Sequence, residues 1–280
     1  MLMADEQKQK ADDFLALHHR PDLLLLPNAW DVSSAAVFAQ EQFNAIGTTS
    51  AGIAATLGYA DGQDMSLEDN LAVVSRIAKY TTLPVSADVE WGYANTTEGV
   101  AQTARAVLEA GAVGLNIEDG GCAADSVLAD VGFQTDRIRA MREIADSLDI
   151  RLVINARTDV FLVGDESRQN LSQAIERGNA YREAGADCVF VPDTGNLDED
   201  AIQVLVKEVD APINIIAGEK TPAIAELQEM GVSRVSVGPR PMRALLSLLR
   251  KIGKELRTSG TYEAMSDSSI SYSDVNSWFK

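Results

Sequence analysis

Short runs of apolar residues recur along the chain, and each run is followed by a segment whose apolar residues repeat at the spacing of a helix. The runs are almost continuously apolar instead of alternating with polar residues. This pattern is typical of strands that are covered on both faces, as in a parallel sheet. Eight runs are predicted as strands: 23–27, 45–49, 84–87, 114–117, 151–155, 188–191, 213–216 and 234–237.

Helices are predicted between these strands and ahead of the first one. Some begin with capping residues, such as Ser66 ahead of Glu68 and Thr96 ahead of Glu98. The predicted helices are 4–17, 32–42, 67–80, 97–109, 135–148, 172–183, 198–209, 222–230 and 241–256.

One local pattern occurs three times, at 109–112, 183–186 and 229–232, where Glu is followed by Ala or Met, then Gly, then Ala or Val. Each copy is predicted to end a helix at a left-handed glycine and to lead into the next strand. Eight alternating units favour a closed (β/α)8 barrel, or TIM barrel, over a doubly wound open sheet. A Gly-x-Gly-x-x-Gly turn follows none of the predicted strands, which disfavours a dinucleotide-binding fold.

We predict a single barrel domain, including the N-terminal helix, over residues 1–257 and a C-terminal tail over 258–280. A chain of 280 residues, 46% of them hydrophobic, is long enough to form one such core. The tail is polar and rich in serine. It has two interpretations: the tail docks on a neighbouring subunit through Tyr272 and Trp278, or it is a frayed end.

Charge and composition exclude several classes of function. The formal net charge of −18 and the pI near 4.4 disfavour nucleic acid as a partner. The apolar runs are shorter than the roughly 20 residues that span a bilayer, and the first residues lack the apolar core of a signal peptide. We therefore predict a cytoplasmic protein without a membrane partner, in which Cys122 and Cys188 are free thiols.

Histidine gives a sharper exclusion, because the chain has only His18 and His19. Both are predicted to lie at the solvated end of the N-terminal helix. Ser-His-Asp catalysis and histidine-bound zinc are then disfavoured. The chemistry must come from carboxylates, other polar side chains or a metal held by oxygen atoms.

Acidic residues follow several predicted strands, at the end where barrel enzymes carry their active sites. Side chains alternate along a strand, so Asp88 and Glu90 are expected on the same side, with Glu118 at the end of the neighbouring strand. Three carboxylates without histidine or thiolate suit Mg²⁺, or Mn²⁺, better than Zn²⁺. The alternative is that these acids cap helices or pair with arginine. The full set is Asp88, Glu90, Glu118, Asp119, Asp159 and Asp193.

Two other features at strand ends suit an anionic substrate. Arg157 follows the fifth strand, where a guanidinium can bind a substrate carboxylate through two hydrogen bonds. A structural ion pair with Asp88 or Glu118 is the alternative. The small residues at 50–52 after the second strand let backbone N–H groups approach an anion, although an ordinary tight turn has the same composition.

Six segments in order along the chain resemble the isocitrate lyase/phosphoenolpyruvate mutase superfamily. The resemblance covers most of residues 25–249. The matching segments read Pro-Asn-Ala-Trp-Asp at 27–31, Thr-Thr-Ser-Ala-Gly at 48–52 with Leu-Gly-Tyr-Ala-Asp-Gly at 57–62, Ser-Ala-Asp-Val-Glu-Trp-Gly-Tyr at 86–93, Asn-Ile-Glu-Asp at 116–119, Asn-Ala-Arg-Thr-Asp at 155–159 and Val-Gly-Pro at 237–239.

The resemblance implies a barrel whose last helix is swapped between subunits, usually in a homotetramer built from two dimers. It implies Mg²⁺ bound by Asp88, with Glu90 and Glu118 acting largely through water. It also implies a small carboxylic acid as substrate, with an enolate stabilised by the metal and Arg157. The substrate carboxylate would be held by Arg157 and by the segment Ser50, Ala51 and Gly52. Asp61 would lie near the substrate. The catalytic residues that the resemblance implies are therefore Arg157, Glu118 and Asp61.

The loop after the fourth strand departs from the family. The lyases carry Lys-Lys/Arg-Cys-Gly-His/Ser there, whereas residues 119–126 read Asp-Gly-Gly-Cys-Ala-Ala-Asp-Ser. Cys122 comes too early, and the asparagine of the phosphonate branch is absent between Asn116 and Asn155.

These features predict a Mg²⁺-dependent lyase that acts on a 2-oxo or 2-hydroxy acid by carbon-carbon cleavage or decarboxylation. Three alternatives stay open. They are phosphorus-carbon chemistry, a Schiff-base aldolase that uses Lys220, and a catalytically silent barrel that binds a metabolite.

Overall fold

The computed structural model describes residues 2–120, 128–163, 167–192, 197–266 and 269–280. The chain divides into two compact units, Met1–Gly238 and Pro239–Lys280. The boundary between these units follows the last strand and precedes the final long helix. Within the described ranges, no helix combines the length and the apolar character needed to cross a membrane.

The first unit is built on nine parallel strands, which follow one another in the order β1-β9-β8-β7-β6-β5-β4-β3-β2. Pro27 separates β1 from β2, because it has no N–H group for the sheet. Since β1 pairs with β9 and β2 with β3, the ring is nearly closed, and the predicted (β/α)8 barrel is confirmed. The strands are β1 Leu24–Leu26, β2 Asn28–Ala29, β3 Ile46–Thr48, β4 Val85–Asp88, β5 Gly114–Glu118, β6 Val153–Arg157, β7 Cys188–Val191, β8 Ile213–Ile216 and β9 Arg234–Ser236.

Over the residues that the structure describes, the helices agree with the prediction to within two residues at each end, apart from four additional short ones and earlier starts of α6 and α8. The helix α3 was not predicted, because its residues are small and include a glycine in the first turn. The helices are α1 Leu2–Leu17, α2 Val32–Gln40, α3 Ser50–Leu57, α4 Leu67–Tyr80, α5 Thr97–Glu109, α6 Val131–Ser147, α7 Val160–Val163, α8 Ser167–Ala184, α9 Glu199–Glu208, α10 Ile224–Glu229, α11 Arg240–Thr258, α12 Glu263–Ser266 and α13 Tyr272–Ser277.

The predicted start and stop signals have the expected geometry. Ser66 caps α4 and Thr96 caps α5, each through a side-chain oxygen that accepts a backbone N–H of the first turn. The repeated glycines Gly111, Gly185 and Gly231 have φ values of 93°, 113° and 87°. A residue with a side chain is strained there, which explains the recurrence of glycine at these helix ends.

The N-terminal helix α1 packs against the N-terminal ends of the strands. Phe14 and Leu17 of α1 are buried in one cluster with Leu24 and Leu26 of β1. A Cβ atom on Gly114 would lie 2.6 Å from the Phe14 ring, so a glycine at this position lets the ring approach the start of β5.

His18 is buried, contrary to the prediction, with only 2% of its surface exposed, whereas His19 is exposed as predicted. The Nδ1 atom of His18 lies 2.8 Å from the carbonyl oxygen of Phe14. A carbonyl oxygen can only accept a hydrogen bond, so Nδ1 carries the proton. Its Nε2 then faces Nη1 of the fully buried Arg234 at 3.5 Å. Burial and the charge of Arg234 lower the pKa of His18 to about 3.

We expect the stability contributed by His18 to depend on pH. Its pKa is about 3 in the folded chain against an ordinary 6.5, so the unfolded chain binds an extra proton between these values. This contribution is complete above pH 6.5 and falls by about 1.4 kcal/mol per pH unit below it. Urea unfolding from pH 7.5 to 5 should therefore show His18→Gln as less stable at pH 7.5, with the difference from wild type shrinking below pH 6.5.

The matched control is His19→Gln, which changes the exposed neighbour. Its unfolding free energy should follow that of the wild type at every pH. If the wild-type and His18→Gln curves ran parallel between pH 6.5 and 5, His18 would not be the buried neutral group described above.

Candidate active site

The carboxyl ends of β4, β5 and β6 lie side by side at one end of the barrel. Asp88 is the last residue of β4, Glu118 of β5 and Arg157 of β6. Asp88 pairs with Asn116, two residues before Glu118, and Glu118 pairs directly with Arg157. The structure thus brings these three predicted residues together at the barrel mouth.

Arg157 is held by two carboxylates. Its Nη1 lies 2.6 Å from Oε2 of Glu118, and its Nε and Nη2 donate to the two carboxylate oxygens of Asp159 at 2.5 and 3.1 Å. Burial opposes the charge of the guanidinium, but these carboxylates outweigh it and raise the pKa of Arg157. The alternative of an ion pair with Glu118 is therefore present, and it fixes the guanidinium in one orientation.

Asp88 binds the first residue of α3. Its Oδ2 accepts hydrogen bonds from the backbone N–H of Ser50 at 3.0 Å and from the Ser50 hydroxyl at 2.9 Å. A carboxylate at a helix N-terminus is favoured by the N–H groups that point outward there. The segment predicted as an anion-binding turn, Ser50, Ala51 and Gly52, is therefore the first turn of a helix that already holds a carboxylate of the chain.

Gly52 has a packing role. A Cβ atom at this position would lie 2.6 Å from Cγ2 of Thr49 and 2.8 Å from Cβ of Trp30. Its N–H group donates to the Thr49 hydroxyl at 3.4 Å, which is the capping contact of α3. Close packing between α3 and Trp30 is thus enough to explain the glycine.

Glu90 lies in a turn beyond the strand, so the prediction that it follows the strand alternation of Asp88 was wrong. The strand β4 ends at Asp88, and Glu90 has a left-handed φ of 50°. The Glu90 side chain is nevertheless buried, with the Tyr93 hydroxyl donating to its Oε1 at 3.3 Å. The turn, rather than the strand, directs this carboxyl group.

Burial and neighbouring charges raise the pKa values of three carboxyl groups at the mouth. Burial, followed by the charges of Asp88 and Asp61, raises the pKa of Glu90 to about 7. Burial also raises the pKa of Glu118, against the opposing charge of Arg157. Asp61 lies exposed at the rim, where partial desolvation and the charge of Asp88 raise its pKa. Like charges are therefore crowded at this end of the barrel.

In the described part of the chain, no three histidine, cysteine, aspartate or glutamate side chains are grouped closely enough to hold a metal ion directly. The carboxylates predicted as ligands instead have partners within the chain: Ser50 for Asp88, Tyr93 for Glu90 and Arg157 for Glu118. All three acids offer hard oxygen donors, the kind that Mg²⁺ prefers.

A second network behind the mouth was missed from the sequence. Asp119 is fully buried and accepts hydrogen bonds from the Tyr181 hydroxyl at 2.6 Å, from Arg177 at 3.0 Å and from the Asp159 backbone N–H at 2.8 Å. It thereby fixes Asp159, which in turn holds Arg157. Asp119 was recognisable as a strand-end acid, but no local signal pointed to its partners on α8.

Four other residues were named from the sequence, and two of them, Cys188 and Lys220, are described by the structure. Cys122 and Asp193 lie outside the described residues. Cys188 is a free thiol, as predicted, and its burial raises the pKa to about 12. Lys220 is exposed in the turn after β8. A Schiff-base lysine works inside an apolar pocket, so this exposed position disfavours the aldolase alternative.

Comparison with known proteins decides the family. Residues 14–257 match the model of the phosphoenolpyruvate phosphomutase family. The chain belongs to this family. It is 30% identical over 240 residues to 2-methylisocitrate lyase from Escherichia coli K12, covering 80% of this chain and 77% of that one. It is 25% identical over 272 residues to 2,3-dimethylmalate lyase from Eubacterium barkeri, covering 91% and 88%.

Among solved structures, this family member is similar to a protein from Burkholderia cenocepacia J2315. The TM-score is 0.90 at 35% sequence identity, over 98% of this chain and 97% of the other. The predicted membership of the isocitrate lyase/phosphoenolpyruvate mutase superfamily is confirmed, and with it the barrel fold. The superfamily consists of lyases and mutases, and the named relatives above are lyases.

Proposed function

We propose that the chain is a Mg²⁺-dependent lyase that cleaves a small 2-oxo or 2-hydroxy carboxylic acid through an enolate. The observation that carries this proposal is the partly buried guanidinium of Arg157, held on two sides by Glu118 and Asp159 at the same barrel mouth as Asp88. The relatives that act on methylisocitrate and dimethylmalate support a substrate with carboxylate groups.

The donors at the mouth fit a hard divalent cation. Asp88, Glu90 and Glu118 supply oxygen atoms. Burial and the neighbouring carboxylates raise the pKa values of Glu90 and Glu118, which marks a crowding of negative charge that a cation would offset. Both hydrogen bonds from Ser50 to the Asp88 carboxylate fall on Oδ2. We assign Asp88 as the direct ligand, with Glu90 and Glu118 acting largely through water. Bound Mg²⁺, or Mn²⁺ in its place, would stabilise the negative charge of an enolate.

Arg157 would bind the substrate carboxylate. A guanidinium has five N–H donors, and three of them point to Glu118 and Asp159, so two remain for an incoming anion. Because its orientation is set before the substrate arrives, the charge on Arg157 can stabilise the developing enolate without reorganisation. The first turn of α3, which begins at Ser50 next to Asp88, would also attract the substrate carboxylate through the partial positive charge of the helix N-terminus.

The decisive experiment is an assay of pyruvate or glyoxylate release from a panel of 2-oxo and 2-hydroxy di- and tricarboxylates, with Mg²⁺ and with EDTA. Turnover of one acid that EDTA abolishes and Mg²⁺ restores is the expected result. Phosphonopyruvate in the same panel tests phosphorus-carbon chemistry. Tight oxalate binding by calorimetry without turnover of any acid would contradict the lyase proposal and favour a barrel that only binds metabolites.

The helix α11 supports a homo-oligomer. Its leucines are exposed, Leu245 by 51% and Leu249 by 57%, although burial of such side chains is strongly favourable. Six of its 19 residues are basic and one is acidic, in a chain whose net charge is −18. A second copy of this acidic chain therefore complements α11 in both charge and apolar surface, and we propose a dimer of dimers with α11 at an interface.

The double variant Leu245→Ser/Leu249→Ser should dissociate this assembly, because it removes the apolar surface that the second copy would cover. Light scattering after size-exclusion chromatography is expected to give four times 30.1 kDa for the wild type and at most twice 30.1 kDa for the variant. The control Val204→Ser changes an exposed residue on α9 and should leave the mass of the assembly unchanged. A monomeric wild type would refute the proposed oligomer.

A further inference from the structure

The turn between β4 and α5 has an uncommon backbone conformation. Three residues have positive φ values: Glu90 with 50°, Gly92 with 94° and Tyr93 with 56°. For Glu90 and Tyr93, which carry Cβ atoms, this conformation is unfavourable and persists only where the surroundings hold it. The turn that directs the buried Glu90 carboxyl therefore depends on its neighbours.

Hydrogen bonds from several elements hold this turn. The Glu90 carbonyl accepts from the Glu118 backbone N–H at 3.0 Å, and the Gly92 carbonyl accepts from the Thr103 hydroxyl at 2.7 Å. The Trp91 carbonyl, at the centre of the turn, accepts from Nη2 of Arg137. Of these three contacts, only the one from Arg137 comes from a charged side chain on a different helix, α6.

Arg137 carries a positive charge but lies in the interior of the protein. Its side chain is fully buried, and its guanidinium lies over the Trp91 ring at 4.3 Å from the ring centre. Its Nη1 donates to Oε1 of Gln134 at 2.7 Å. Within the described ranges no carboxylate forms an ion pair with it. A buried, unpaired charge is costly, so an apolar side chain would serve simple packing better.

The guanidinium lies directly against the backbone of the turn. A Cβ atom on Gly92 would lie 3.1 Å from Nη2 of Arg137 and 2.8 Å from Cδ1 of Ile117. The planar guanidinium thus fills the space next to Gly92, bonds the Trp91 carbonyl and covers the Trp91 ring at the same time. Lysine, with a single ammonium group, cannot make these three contacts together.

We infer that Arg137 is a positioning residue that holds the Glu90–Tyr93 turn in its left-handed conformation and so keeps the Glu90 carboxyl directed at the metal site. This inference rests on the proposed function, because the metal site belongs to that proposal. Arg137 itself touches neither the metal nor the substrate. Outer contacts of this kind typically change metal affinity by about 10–100-fold when they are removed.

The test compares Arg137→Met and Arg137→Lys with Arg139→Met. Arg139 lies one position beyond Ile138 on the same helix, where it forms an exposed ion pair with Asp136, and it serves as the matched control. Mn²⁺ binding is measured by electron paramagnetic resonance, and hydrogen exchange is followed in the peptide that covers residues 89–93. We expect Arg137→Met to weaken Mn²⁺ binding by about tenfold or more and to speed exchange in this peptide.

Arg137→Lys should restore part of the affinity, and Arg139→Met should match the wild type in both measurements. If Arg137→Met does not fold, the milder variant Gln134→Met is used instead. It removes the acceptor that orients Arg137. It should weaken Mn²⁺ binding by a few-fold and speed exchange in the same peptide.

The outcomes separate the two proposals. A wild type that binds no Mn²⁺ overturns the proposed metal site, and the role of Arg137 with it. A wild type that binds Mn²⁺, together with folded Arg137→Met or Gln134→Met proteins of unchanged affinity and exchange, overturns the role of Arg137 alone.

Discussion

Arg157→Met is expected to lower kcat/KM by at least about 100- to 1000-fold, which is the usual cost of removing one preorganised donor to a developing negative charge. The same change should destabilise the protein, because Glu118 and Asp159 would lose the guanidinium that lies 2.5–2.6 Å from them. Breaking a buried ion pair by removing one partner costs about 3–5 kcal/mol. Steady-state kinetics on the acid that the panel identifies and urea unfolding measure the two effects.

Two control variants separate these effects. Arg157→Lys keeps the positive charge but loses the bidentate contact with Asp159, so it should recover more stability than activity. Arg151→Met changes an exposed arginine before the opposite end of β6 and should alter neither. Activity of Arg157→Met within tenfold of the wild type would remove Arg157 from the mechanism.

Asp88→Asn is expected to act in opposite directions on function and stability. Loss of the direct ligand should lower turnover and Mn²⁺ affinity by about two to three orders of magnitude. The asparagine can still accept from Ser50, and the change removes a negative charge that raises the pKa values of Glu90 and Asp61. The unfolding temperature of the variant should therefore equal or exceed that of the wild type.

The exposed residue Asp64 offers the control, since Asp64→Asn removes the same charge from a residue that is not among the proposed ligands. It should change neither Mn²⁺ binding nor unfolding temperature. If Asp88→Asn bound Mn²⁺ as tightly as the wild type, the ion would have to be held by other residues. If it unfolded at a clearly lower temperature, the crowding of negative charge would not be the dominant effect of Asp88.

Much of the barrel could be predicted, because its signals are local. The apolar runs are covered on both faces, and the repeated glycine at helix ends, as in Gly111 and Gly185, needs only its immediate neighbours to adopt positive φ. Once parallel strands are assigned, their carboxyl ends must meet, so Asp88, Glu118 and Arg157 could be placed at one mouth.

The sequence-based predictions were wrong mainly where a residue's environment depends on contacts with distant parts of the chain. His18 was predicted as solvated because its partner Arg234 is 216 positions away. Glu90 was placed by strand alternation, but the strand ends at Asp88 and contacts from other elements hold the turn. The helix α3 was overlooked because its small residues carry little helical periodicity.

The amino-acid sequence by itself determined the order of strands and helices, the family and the end of the barrel at which the acids gather, since each depends on residues close together along the chain. Only the tertiary structure decided which partner each charged group takes. Asp119 meets Arg177 and Tyr181 across 58 and 62 positions, and Arg137 meets Trp91 across 46. Such pairings form only when the barrel closes, because burial then removes water as the competing partner for each charge.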